Sequence, residues 1–144
     1  MSSALPLGWR LRAVATVGVV APLVGAGSFA RLARWLGNGA GGSRPRRAAL
    51  DDAALARWVD RVLYALRGPW HHTCLRRATV LYGLLRRAGR PVALVIGVRR
   101  DAAGRVAAHA WLERDAAPYL EADPTIPARH TVLARFPDGG SSSA

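Results

Sequence analysis

From residue 50 onward the chain switches between two hydrophobic periods. In "LDDAALARWVDRVLYALRG" the apolar residues Leu55, Trp58, Val59, Val62, Leu63 and Leu66 recur every three or four positions with polar residues between them. That spacing predicts an amphipathic helix whose apolar stripe packs on a core, opened by Asp51 or Asp52 and stopped by Gly68 and Pro69. A second helix is predicted from the N-cap Thr73 to Ala88, with Gly89 as its left-handed C-terminal residue and Pro91 barring continuation. Its apolar face, Cys74, Ala78, Leu81, Leu85 and Ala88, advances in steps of 4, 3, 4 and 3, so Cys74 lies in the first turn and starts the buried stripe.

The period then changes. "PVALVIGVRR" is a continuous apolar, β-branched run of strand length, "DAAGR" reads as a turn, and "VAAHAWLE" as a second strand. Along it His109, Trp111 and Glu113 share one face, while Val106, Ala108, Ala110 and Leu112 share the other. "RDAA" makes another turn and "PYLEA" a third strand. Two helices followed by an antiparallel meander predict an α+β domain.

Ahead of this domain, residues 13–30 carry no charge and follow Arg10 and Arg12, the outline of a signal peptide or a short membrane span. The segment is rich in Ala, Gly and Ser, Pro22 falls in its middle, and Arg31 and Arg34 follow at once, which makes it weakly apolar for a span. The favoured reading is a pair of short apolar helices broken near Pro22 to Gly27. They continue into "FARLARWL" and pack on the domain or on a partner. The expected organisation is an Arg-flanked helical segment over residues 1–36 and a flexible linker over 37–49 containing "GNGAGGSRP". A compact domain over 50–137 and a disordered tail over 138–144 complete it.

Composition narrows the function. The net charge is +12 and all 21 basic residues are Arg; residues 1–49 hold seven Arg and no acid. Such a segment could meet nucleic acid, an anionic membrane surface or an acidic peptide. The chain has no zinc finger, no aromatic-and-basic sheet motif and no block of five consecutive charges, so a nucleic-acid partner is not expected. Arg76, Arg77, Arg86 and Arg87 lie off the apolar stripe and read as solvated, with contact between some of them and an acidic partner as the alternative. A single cysteine excludes an intramolecular disulfide and any Cys cluster for zinc.

That cysteine raises the chemical question. A lone Cys in a helix is more often a small buried hydrophobe than a nucleophile. At a helix N-terminus, however, unpaired N–H groups and the positive end of the dipole favour the thiolate and could hold an oxyanion. Nucleophilic catalysis also needs a base and a group to orient it. His109, mid-strand, is the leading base. A turn centred on Asp115 would pair Trp111 with Tyr119 and His109 with Glu121, whose Cβ atoms would be about 5 Å apart. A turn centred one residue later would bring Asp123 opposite His109 instead. Glu113, four residues along the same strand, would be roughly 13 Å away. His71 and His72 read as loop or oxyanion-region residues, and His130, in a Pro-rich tail, as exposed.

Taken together, "TCLRRATVLYGLLRRAGRPVALVIGVRR", then "AHAWLE", then an acid twelve residues after the His, resemble the transglutaminase-like cysteine protease that removes the leader in lasso-peptide biosynthesis. More narrowly, they resemble the stand-alone protease half of its split form. The resemblance runs from about Leu50 to Phe136, and "HTVLARFP" is similar to the family's end, where it packs on the core. It implies a transglutaminase-like or papain-like core with N-terminal helices and an antiparallel sheet, the catalytic Cys at a helix N-terminus. The nucleophile falls on Cys74, the base on His109 and the acid on Glu121, with Asp123 as the substitute. The Cys74 backbone N–H and the His72–Thr73 region would supply the oxyanion site.

The implied partners are a ribosomally made precursor peptide, a small leader-recognition protein acting in trans, and an ATP-dependent macrolactam synthetase resembling asparagine synthetases. The chain itself would need no cofactor, ATP being used by the synthetase. It would work in the cytoplasm or at the membrane periphery. The rival readings are another Cys-dependent acyl transfer of the transglutaminase type and a non-enzymatic Arg-rich binding module with an inert cysteine.

Overall fold

The computed structural model describes residues 4–38 and 50–137. These form helices α1 (Leu7–Leu23), α2 (Phe29–Asn38), α3 (Asp52–Ala65) and α4 (Cys74–Arg87), then strands β1 (Ala93–Arg100), β2 (Val106–Arg114), β3 (Ala117–Tyr119) and β4 (Thr131–Phe136). The strands make one antiparallel sheet in the order β3-β2-β1-β4.

The two helices expected after residue 50 start where their capping chemistry says. The Asp51 carboxylate accepts from the Ala54 N–H at 2.9 Å, and the Thr73 hydroxyl accepts from the Arg76 N–H at 3.1 Å. At the far end of α4, Gly89 takes a φ of 78° that turns the chain toward β1. Asp52 then fixes α3 to the sheet, accepting from the Tyr119 hydroxyl at 2.6 Å and from Arg90 Nε at 3.1 Å.

Burial departs from the predicted single stripe. Every residue of α4 from Ala78 to Leu85 is buried, because the sheet covers one side and α1 and α2 cover the other. A Cβ on Gly83 would come within 2.9 Å of Leu36, so a small residue is what lets α2 approach this closely. Cys74, one turn before the buried block, is only half-buried. The main core joins Val17, Val20, Leu55, Leu63, Leu81 and Leu112. Each such side chain contributes roughly 1.5–3 kcal/mol by leaving water.

The N-terminal helices belong to this packing. Helix α1 runs through Pro22 in its last turn, and Gly27, at a φ of 81°, stands between it and α2. Three side chains latch α1 by its carbonyls: Trp58 Nε1 donates to Arg10 O at 3.3 Å, Trp70 Nε1 to Gly18 O at 3.2 Å and Arg76 Nε to Ala21 O at 3.1 Å. Among the described residues no helix is long and apolar enough to cross a membrane. Gly37 and Asn38, read as the start of the linker, close α2; the rest of that linker and the tail from 138 lie outside the described residues.

Two features of the sheet differ from the expected meander. The C-terminal segment forms a fourth strand, β4, on the open edge of β1, with a register shift between Ile96 and Gly97. The third strand is shorter than "PYLEA" and sits one residue out of the expected register: Leu112, not Trp111, pairs with Tyr119. The cause is a two-residue turn at Asp115 and Ala116, both left-handed at φ of 53° and 60°, which pairs Arg114 with Ala117.

Candidate active site

Continued pairing in this register would set Glu121 opposite Ala110, on the wrong face of the sheet for His109. The pairing stops instead at Tyr119, because Leu120 adopts a φ of 59° and turns the chain out of the strand. Glu121 is thereby returned toward His109. Its Oε2 stands 3.8 Å from His109 Nε2, with the carboxylate side chain only 11% exposed. At that separation the two groups are close but not hydrogen-bonded, and among the described residues the buried Nε2 has no hydrogen-bond partner.

The pair opens onto a cavity of about 260 Å³ that Cys74 also lines, together with Asp60, His72 and Arg77. Cys74 is the first residue of α4. Thr73 serves the next amides of that turn, its hydroxyl taking the Arg76 N–H and its carbonyl the Arg77 N–H at 2.9 Å. The sulfur and the Cys74 amide thus stand together at the open end of the helix, where the dipole is positive.

Burial holds His109 below the ordinary imidazole range, and the neighbouring His130, Arg129 and Arg77 push the same way. Its ring is therefore neutral near pH 7 and free to accept a proton. Burial pushes the Glu121 carboxyl above its ordinary value, while the Arg77 guanidinium works against that rise. Arg77 Nη1 lies 3.5 Å from Glu121 Oε1.

Asp123, the substitute acid, is otherwise engaged. Its Oδ1 accepts from the Thr125 N–H at 2.9 Å and the Thr125 hydroxyl at 2.6 Å, and its other oxygen pairs with Arg129. The Thr125 hydrogen bonds hold its carboxyl below the usual range. Glu113 is buried under the sheet, accepting from Trp111 Nε1 at 3.1 Å and pairing with Arg135.

The other histidines separate. His72 faces the cavity, its Nε2 3.1 Å from Asp60 Oδ1 and its ring stacked on Tyr64 at 4.0 Å. His71 is exposed and turned to the Gly68 carbonyl and Arg76. His130, expected to be exposed, is half-buried: its Nδ1 bonds the Ile126 carbonyl at 2.7 Å, and its ring centroid lies 5.8 Å from that of His109. The formation of β4 is what carries it there, since His130 immediately precedes that strand.

Two residues of the site were not anticipated. The hydrophobic pattern gives Asp60 no role beyond the polar side of a packing helix, and it leaves Arg77 off the apolar stripe as a solvated charge or a contact for an acidic partner. Arg77 is 17% exposed and donates to Asp60 Oδ1 at 2.8 Å. The available signal was spacing: Arg77 follows Cys74 by three residues, which puts both on one side of a helix.

Gly97 lies behind His109. It pairs with His109, and a Cβ there would come within 2.7 Å of the Trp111 ring and 2.9 Å of His130 Cβ. Both rings pack beside His109. Gly97→Ala is expected to cost about 1–3 kcal/mol by overpacking and to lower activity in the fraction that stays folded. Urea titration and single-turnover rates on the same preparation check this.

No curated protein and no solved structure matches the chain. One family model, described as the transglutaminase-like superfamily, matches residues 12–135. The match reaches from inside α1 to the end of the sheet, so it takes in the N-terminal helices that the resemblance from Leu50 onward had left out. Members of this superfamily are typically cysteine-dependent acyl-transfer enzymes or proteases. With the match covering most of its length, the chain belongs to the transglutaminase-like superfamily.

Proposed function

We propose that this protein is a cysteine peptidase that removes the leader from a ribosomally made lasso-peptide precursor. The observation that carries the catalytic part is the convergence of Cys74, His109 and Glu121 on one open cavity, with the Glu121 carboxylate 3.8 Å from the imidazole. The leader-removal part rests on the sequence resemblance in "TCL", "HAW" and the acid after them.

The residues divide the work by their chemistry. Cys74 sulfur attacks the scissile carbonyl, forming a C–S bond, while His109 takes the thiol proton and then gives it to the departing amine as the C–N bond breaks. Glu121 holds the imidazole in one orientation and stabilises its protonated form. The Cys74 amide and the His72–Thr73 segment receive the oxyanion at the start of α4. Water, deprotonated by His109, then releases the acyl group from sulfur and restores the thiol.

In this reading the chain binds no cofactor of its own. Leader recognition comes in trans from a small separate protein, and the freed core passes to an ATP-dependent synthetase that closes the macrolactam. The work is cytoplasmic, where the precursor is made, with the Arg-rich N-terminal part available to an acidic partner or to the membrane periphery.

The test is a mass balance. A lasso-type precursor peptide is incubated with the protein, a leader-recognition protein and a primary amine. Two fragments that together exceed the precursor by one water establish hydrolysis. A leader fragment carrying the amine would instead indicate transglutaminase-type transfer. No change in a precursor shown to be bound by the partner would overturn the peptidase reading.

A further inference from the structure

The cavity holds two carboxylates, Glu121 and Asp60, and one guanidinium between them. Arg77 Nε donates to Asp60 Oδ1 at 2.8 Å, Nη2 donates to the Leu120 carbonyl at 3.0 Å, and Nη1 faces Glu121 Oε1 at 3.5 Å. Each of its three nitrogens thus reaches a different residue. The three acceptors come from separate places: α3, the left-handed residue that ends β3, and the acid beyond it.

We propose that Arg77 is a positioning residue that braces the turn after β3 against α3 and α4, and so aims the Glu121 carboxylate at His109. The geometry is specific to a planar fork. Glu121 presents Oε1 to Arg77 and Oε2 to His109, so one carboxylate bridges the guanidinium and the imidazole. Leu120 sits at a φ of 59°, a conformation an L-residue rarely holds unaided, and it is the Leu120 carbonyl that Arg77 grips. That hydrogen bond ties the turn directly ahead of Glu121 to α4. A lysine, with one nitrogen, could meet the carbonyl or a carboxylate but could not span all three acceptors.

The charge has a consequence of its own. Facing Glu121 are Asp60 from α3, Arg77 from α4, His109 from β2 and Asp123 from the segment after β3. Facing His109, besides Arg77 and Glu121, are Asp123, Arg129 and His130. Arg77 is the cation that opposes the effect of burial on Glu121, so its removal lets the carboxyl hold its proton to higher pH. Losing the same positive charge also raises the His109 value. Both changes move the acid limb of any Cys74 reactivity that depends on this pair toward higher pH.

This inference rests on the peptidase reading, and the experiment separates the two. Alkylation of Cys74 by iodoacetamide is followed by mass spectrometry from acid to alkaline pH in the full chain, for wild type, Arg77→Gln, Arg77→Lys and Glu121→Gln. Wild type is expected to react faster near neutrality than a free thiol such as glutathione. Arg77→Gln should fall toward Glu121→Gln, with a loss of about 10²-fold, the size expected of a misplaced catalytic group, and with its acid limb at higher pH. Arg77→Lys should restore the limb in part and the rate less. Wild-type reactivity no greater than glutathione would overturn the peptidase reading itself. An activated wild type with an unchanged rate and acid limb in Arg77→Gln would overturn the role of Arg77 alone. If Arg77→Gln fails to fold by circular dichroism, Arg77→Lys decides: wild-type rate and limb in that variant overturn the inference.

Discussion

Cys74→Ala is expected to abolish precursor cleavage while leaving the fold intact. The loss should be on the order of 10⁴- to 10⁶-fold, as when a nucleophile is removed from a triad whose members act as a unit. The structure says why stability should be spared. Cys74 is half-buried and lines the cavity, a turn ahead of the block from Ala78 to Leu85 that carries the packing of α4. Removing one sulfur there opens no hole in the core. Alanine also suits the first turn of a helix, and the Thr73 cap is independent of the side chain that follows it. Cleavage rate and denaturation midpoint should therefore separate cleanly, whereas an inert packing cysteine would leave the rate unchanged. Cys74→Ser keeps the shape with a poorer nucleophile and should behave nearly as the alanine variant does.

Glu121→Gln and Asp123→Asn form the second expected contrast. The amide at 121 keeps the volume but loses the charge that stabilises protonated His109, and a fall of about 10³- to 10⁴-fold in kcat follows by analogy with other triads. Asp123→Asn should change kcat by only a few-fold. Its carboxylate is committed to Thr125 and Arg129, and it acts on His109 only through space. The pH dependence carries a sign as well. The raised Glu121 value and the lowered His109 value bring the two titrations toward each other, so wild-type activity should be lost on the acid side as either group takes up a proton. Profiles of kcat for the three proteins check this. A severe loss in Asp123→Asn beside a mild one in Glu121→Gln would exchange their roles.

The helices and their caps were legible because they depend on neighbours in sequence. Asp51 and Thr73 announce the starts of α3 and α4, and Gly89 announces the end. The face of β2 that holds His109 was legible for the same reason, since alternation needs no tertiary knowledge. The route by which Glu121 reaches His109 was not. Direct cross-strand pairing was expected, yet the turn at Asp115 and Ala116 shifts the register by one, and the left-handed Leu120 reverses the effect. Two local departures from regular strand geometry cancel, so Glu121 still comes beside His109, but not through the expected register. His130 and β4 were missed because an edge strand draws its stability from the partner it pairs with, here β1. Arg77 was missed because an arginine off the apolar stripe looks solvated until the segment after β3 is folded over it.

Labelling with a substrate-shaped electrophile tests whether Cys74 is the nucleophile. A synthetic leader peptide ending in a chloromethyl ketone in place of the scissile bond is offered to the full chain with its recognition partner, and the modified residue is mapped by mass spectrometry. One adduct is expected, on Cys74, slowed by excess unmodified leader and lost in His109→Ala. Modification of a different residue, or none under conditions in which the precursor is cleaved, would show that Cys74 is not the nucleophile.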